Sequence, residues 1–142
     1  MHLAAAEVGY FEDYEDEEAL EVGIVGMDEV GVRRSFSFQR SSYDGPDEQD
    51  VETGMDSYNI STERGFTVYG GLQSVRLSGS LLSLELIAED AQALDVESHI
   101  EVDLSDAHID VATFSAKLRN ILNWGSEQKR PEMIGLDAPP AE

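Results

Sequence analysis

Residues 33–41 read RRSFSFQRS, and this strict alternation restricts the chain more than any other feature. In an extended strand successive side chains point to opposite faces. Arg34, Phe36, Phe38 and Arg40 therefore share one face, while Arg33, Ser35, Ser37 and Gln39 share the other. Phe36 and Phe38 are expected in the core, with an arginine at each end near the rim. A strand with one apolar and one polar face belongs in a sheet that is covered on one side.

The same period recurs along the chain. Ala19–Gly26 alternates Leu20, Val22 and Ile24 against Glu21, Gly23 and Val25. Ser98–Leu104 places Ile100, Val102 and Leu104 inward, and Leu82, Leu84 and Leu86 alternate with Ser83, Glu85 and Ile87. The segment GFTVYGGLQSVRLSGSLLSLELI predicts two strands joined at Gly79-Ser80, a two-residue hairpin turn of type II′ or I′. HLAAAEVGYF predicts a first strand, followed by an acidic loop over Glu12–Glu18. MDEVG is a turn punctuated by Gly31. One or two helical turns follow Pro46, then MDSYNIST as a strand. Ala88–Val96 reads as a short helix or turn.

Helical spacing appears once over a long span. Ala107, Val111, Phe114, Leu118, Ile121 and Leu122 form one apolar stripe. Ser105 is the expected cap, Asp106 and Asp110 suit the positive end, and Gly125 suits the C′ position. The pattern describes an α+β domain: a mostly antiparallel sheet of six to eight strands, a short connector helix, and a C-terminal helix packed on one face. A single domain is assigned to residues 1–126. The aperiodic tail 127–142, with three of the four prolines, is expected to be extended or partly disordered.

Composition narrows the chemistry. The chain has no cysteine, which removes disulfides, thiolate metal sites and a cysteine nucleophile. Its start lacks a basic n-region and a long apolar run, and no stretch approaches a membrane span, so a cytoplasmic, soluble protein is expected. Thirty acidic residues face nine basic ones, for a net charge of −21. That field repels nucleic acid and anionic membrane, and it attracts and steers basic partners, a nuclease being the obvious example. Solubility or growth in high salt would explain the acidity equally well. Residues 1–32 and 77–116 contain ten and nine carboxylates with no lysine or arginine.

No catalytic or metal-binding set emerges. The acidic run from Asp44 fails as a calcium loop, because positions 3, 6 and 12 are Pro46, Gln49 and Met55. It works better as a connector, with Asp44 or Gly45 as cap, Pro46 in the first turn and Gly54 ending it. His2, His99 and His108 have no zinc spacing, and His99 and His108 read as surface or rim residues. There is no GxSxG, and Tyr69-Gly70-Gly71 lacks the lysine and spacing of a phosphate loop, marking a bulge or a close backbone approach instead. Carboxylate pairs are uninformative where acids are so common. No enzyme activity, cofactor or metal is therefore expected. Among the aromatics, Tyr58 and Trp124 read as core or rim, while Tyr14 and Tyr43 beside acidic segments fit contact equally well.

Residues 18–124 resemble the immunity protein 10 family of small bacterial proteins encoded beside polymorphic toxins. The resemblance rests on SFSFQRS, on Asp47-Glu48-Gln49-Asp50, on Gly54-Met55-Asp56 with Tyr58, and on Tyr69-Gly70-Gly71 before the hairpin. It leaves the acidic loop and the tail outside. It implies a toxin-neutralising binding protein with no catalytic residues, and the charge suits a basic toxin. The expected contacts are Asp13, Tyr14, Glu15, Asp16 and Glu17 in the acidic loop, and Tyr43, Asp47, Glu48 and Asp50 in the connector. A competing expectation is an acidic DNA mimic that inhibits a DNA-binding protein. Exposed sheet edges also leave room for a homodimer.

Overall fold

The computed structural model describes residues 1–15, 19–42 and 48–136, apart from the Asp50 side chain. Among the described residues nine strands form one sheet: β1 His2–Asp13, β2 Ala19–Asp28, β3 Arg33–Ser41, β4 Asn59–Thr62, β5 Thr67–Tyr69, β6 Leu72–Ser78, β7 Leu81–Leu86, β8 His99–Asp103 and β9 Glu132–Ile134. The described residues also form the α-helices α1 Glu48–Thr53, α2 Ala88–Leu94 and α3 Val111–Leu122. The strand order is β5-β4-β3-β2-β1-β8-β7-β6-β9. Neighbours run antiparallel except β1 with β8 and β6 with β9, so the α+β sheet is mixed but mostly antiparallel.

Alternation decides the faces. Leu20, Val22 and Ile24 of β2 pair in register with Arg40, Phe38 and Phe36 of β3, and the four apolar residues of the last two pairs are fully or almost fully buried. Ile60, Val75, Leu82, Leu84, Ile100 and Val102 extend this layer across the sheet. Phe114, Leu118, Ile121 and Leu122 of α3, with Ala91 and Leu94 of α2, join the same core cluster. Burying an aliphatic or aromatic side chain of this size contributes roughly 1.5–3 kcal/mol, so this shared layer holds the sheet and helices together. The opposite sheet face is left uncovered by any helix among the described residues.

Strand β1 crosses between phases. An extra residue, Ala6, bulges out between Ala5 and Glu7. Leu3 and Ala5 point inward before the bulge; Val8, Tyr10 and Glu12 share the inward face after it, opposite Ile24, Val22 and Leu20. The strand runs on to Asp13, so Glu12 and Asp13, expected in a loop, lie in the sheet. The GFTVYGG segment likewise yields a separate short strand β5, because Gly70 and Gly71 both take positive φ and break the chain before β6. Gly79 at φ +59 opens the β6–β7 hairpin, and Ser80 is not among the positive-φ residues, which selects type II′.

The C-terminal helix starts later than expected. Asp110 is its cap, its carboxylate accepting from the Ala112 N–H at 3.1 Å and from the Thr113 hydroxyl at 2.9 Å. Ser105 instead bonds Asp103 in a turn, through both its N–H and its hydroxyl. Gly125 lies beyond the Asn123 cap with φ +86, pressed so closely on the Asp56 carbonyl that no Cβ would fit. Within the expected tail, Glu127–Lys129 forms a 3-10 turn and Glu132–Ile134 adds β9 to the sheet, with Leu136 buried. Residues 137–142 lie outside the described residues.

Candidate functional site

Two features stand out once the register is known: the acidic end of the β1–β2 hairpin and the uncovered sheet face. Asp13 pairs with Ala19, and Ala19 pairs with Ser41. Strands β1, β2 and β3 therefore finish at one end of the sheet, and both segments expected to contact a partner leave from that end.

Within the hairpin, Asp13 is half-buried at the end of β1, and its carboxylate accepts the Glu15 N–H at 2.9 Å. Tyr14 is 61% exposed, and Glu15 is exposed beside it. Tyr10 and Phe11 add two further exposed rings on opposite faces of β1. The Lys117 ammonium lies 5.3 Å from the Tyr10 ring centre and 2.6 Å from Glu12 Oε1, which ties α3 to this end of the hairpin. Partial burial, and secondarily the Asp110 charge, raise the Tyr10 pKa. Asp16 and Glu17 lie outside the described residues, as do Tyr43 and Asp47 and the expected cap at Asp44 or Gly45. Glu48 opens α1 and is exposed; Asp50 lies in that helix.

The uncovered face is rich in acids that few cations meet. Cross-strand partners place Glu7, Glu21, Glu85, Glu101 and Asp103 on it, against the cations Arg33 and Arg76. The other seven of the nine lysines and arginines are engaged on the covered side or in loops. Arg34 Nε lies 2.7 Å from Glu63, Arg64 pairs with Asp95, and Lys129 Nζ lies 2.6 Å from Asp56. Arg40 stacks over Trp124 at 5.9 Å, and Arg119 and Arg130 donate to the carbonyls of Leu136 and Gly125. His99 sits on the uncovered face between Glu101 and Glu85, whose hydrogen bonds raise its pKa, Glu101 contributing most. This sorting depends on register, and the sequence could show only that the cations cluster.

No grouping of three or more histidine, aspartate or glutamate side chains among the described residues could hold a metal. Tyr58 is fully buried; its hydroxyl donates to the Lys129 carbonyl at 3.0 Å and accepts from the Leu72 N–H at 3.1 Å, a structural role. Trp124 is also buried, and no helix among the described residues is long and apolar enough to cross a membrane.

No curated protein and no solved structure matches the chain. The sequence profile of the Immunity protein 10 family does match, over residues 4–112. The match begins before residue 18, taking in the acidic hairpin end, and stops at the first turn of α3. That span contains most of the chain, which therefore belongs to the Immunity protein 10 family.

Proposed function

We propose that this protein neutralises a cognate toxin by binding it and occluding the surface the toxin needs, and that the toxin presents a basic face. Family membership carries the reading, because an immunity protein implies a toxin inhibitor rather than an enzyme. The net charge of −21 favours a partner of positive sign. A nuclease is the simplest such partner, because it must hold phosphates with lysine and arginine.

Asp13, Tyr14, Glu15, Asp16 and Glu17, with Tyr43, Asp47, Glu48 and Asp50 of the connector, are the proposed contacts. Carboxylates at such a rim accelerate encounter, while an aromatic that becomes buried on binding, such as Tyr14, slows release. The test is co-expression with the product of the adjacent gene. This chain should restore growth that the neighbour arrests, and the two should co-purify in a salt-sensitive complex. A neighbour that neither arrests growth nor binds this chain would end the proposal.

A further inference from the structure

The uncovered face has a shape as well as a charge. Three open hollows adjoin along β1 and β2, with volumes of about 390, 290 and 230 Å³. The first two share Ala6, Glu7 and Val25, and the second and third share Met27, so they form one trough along the strands. Its floor includes Gly9 and Gly23, direct cross-strand partners. Its apolar lining includes Val25, Met27 and Leu81, with Ala107 from the turn before α3, and Met27 and Leu81 are 47% and 38% exposed. Glu7, Asp28, Glu29 and Asp103 line it with negative charge, against Arg33 among the described residues.

We propose that the cognate toxin docks on this uncovered face, seating a cationic, partly apolar segment in the trough over β1 and β2. The proposal rests on the toxin-binding reading and assigns it a surface. Three observations support it. First, among the described residues the helices cover one sheet face and leave this one unpartnered, with exposed apolar groups inside an acidic frame, the pattern of an interface core and rim. Second, charge complementarity selects the occupant. Seven of the nine cations are engaged elsewhere, so Glu7, Glu21, Glu85, Glu101 and Asp103 confront any partner with a net negative face. A second copy of the chain would oppose that face with its own negative one, which like-charge repulsion disfavours.

Third, neither Gly9 nor Gly23 has a positive φ, and a Cβ added at either would meet nothing within 4 Å. The fold does not require glycine at either place, and glycine weakens a strand interior. Bare backbone on this face permits close approach by another chain. The hairpin end at Tyr14 adjoins the same strands, so one toxin surface can reach both.

The experiment fills the trough. Gly9→Gln and Gly23→Gln, combined, should leave the melting temperature unchanged or higher, because both side chains enter open space. Binding to the adjacent-gene toxin, measured by titration calorimetry, should weaken by about 30-fold, the loss of a hot-spot contact. Glu7→Lys should weaken binding by about 10-fold and flatten its salt dependence. Wild-type affinity in both variants would overturn the docking assignment while leaving toxin binding intact. Failure of the wild-type chain to bind the toxin would instead remove the functional reading itself. If light scattering finds a wild-type dimer that the glycine variant converts to monomer, the face belongs to a second copy and the assignment falls. Should the double variant melt early, Glu7→Lys decides alone.

Discussion

Lys129 Nζ lies 2.6 Å from Asp56 Oδ1 and 2.8 Å from the Gly54 carbonyl oxygen, clamping the C-terminal segment onto the connector that follows α1. The Lys129 carbonyl also accepts from buried Tyr58, so side chain and backbone of one residue hold both segments. The Lys129 hydrogen bond is the main reason the Asp56 carboxyl titrates below its ordinary value.

Asp56→Asn should destabilise the protein by about 1–2 kcal/mol at neutral pH, the scale of a hydrogen bond to a charged group. Because the folded pKa is depressed, the carboxylate's contribution is present above the unfolded value of 3.8 and is lost as pH falls through the lower folded value. The difference in urea midpoint between wild type and variant should therefore be constant at pH 6–7 and shrink below about 3.8.

Gly26 and Gly23 should respond very differently to alanine. A Cβ at Gly26 would overlap the Ala4 carbonyl and the Ala5 Cα at the β1 bulge, whereas one at Gly23 meets nothing within 4 Å. Gly26→Ala must move backbone, and a loss of about 3 kcal/mol is expected. Gly23→Ala should lie within about 0.5 kcal/mol of wild type. Denaturant melts of the two variants check the contrast, which equal effects would contradict.

Arg33–Ser41, Ala19–Gly26 and the Gly79-Ser80 hairpin were legible because strict period-2 patterning and a two-residue turn leave few alternatives. In β1 the Ala6 bulge reverses the phase between Ala5 and Val8, so no single alternation spans the strand. Ser105 and Asp110 are both good caps by type, and only the path of the intervening turn, with His108 at φ 53, makes Asp110 the one used. β9 has three residues and exists because β6 offers an edge, which local sequence does not encode. The acidity of the uncovered face was hidden for a related reason: it requires knowing which strands neighbour which.

His99 should make stability depend on pH in the opposite sense from Asp56. Its hydrogen bonds to Glu101 and then Glu85 raise its folded pKa above 6.5. The favourable interaction is fully present below 6.5 and is lost as pH rises through the raised value. The melting-temperature gap between wild type and His99→Gln should thus be larger at pH 6 than at pH 9. The ring-proton titration followed by NMR should place the His99 midpoint above that of an exposed histidine; a midpoint at or below 6.5 would contradict the hydrogen-bonded cluster.

The hairpin end should separate rate from affinity. Tyr14 is the most exposed of the three β1-end aromatics, and Glu15 stands beside it in the bend that Asp13 organises. Glu15→Gln removes one rim charge without touching the fold, so it should slow association with the toxin severalfold at low salt and change dissociation little. Tyr14→Ala removes contact area and should act mainly on dissociation, by about tenfold or more for an anchor residue. Stopped-flow association at two salt concentrations, with dissociation by competition, resolves the two effects. Raising the salt should erase the Glu15→Gln deficit, since a Debye length of about 10 Å at 0.1 M already screens exposed charges beyond contact, while the Tyr14→Ala deficit should persist. If both variants keep wild-type rates at low salt, the hairpin end is not part of the contact. The trough variants then become the remaining probe of where the toxin sits.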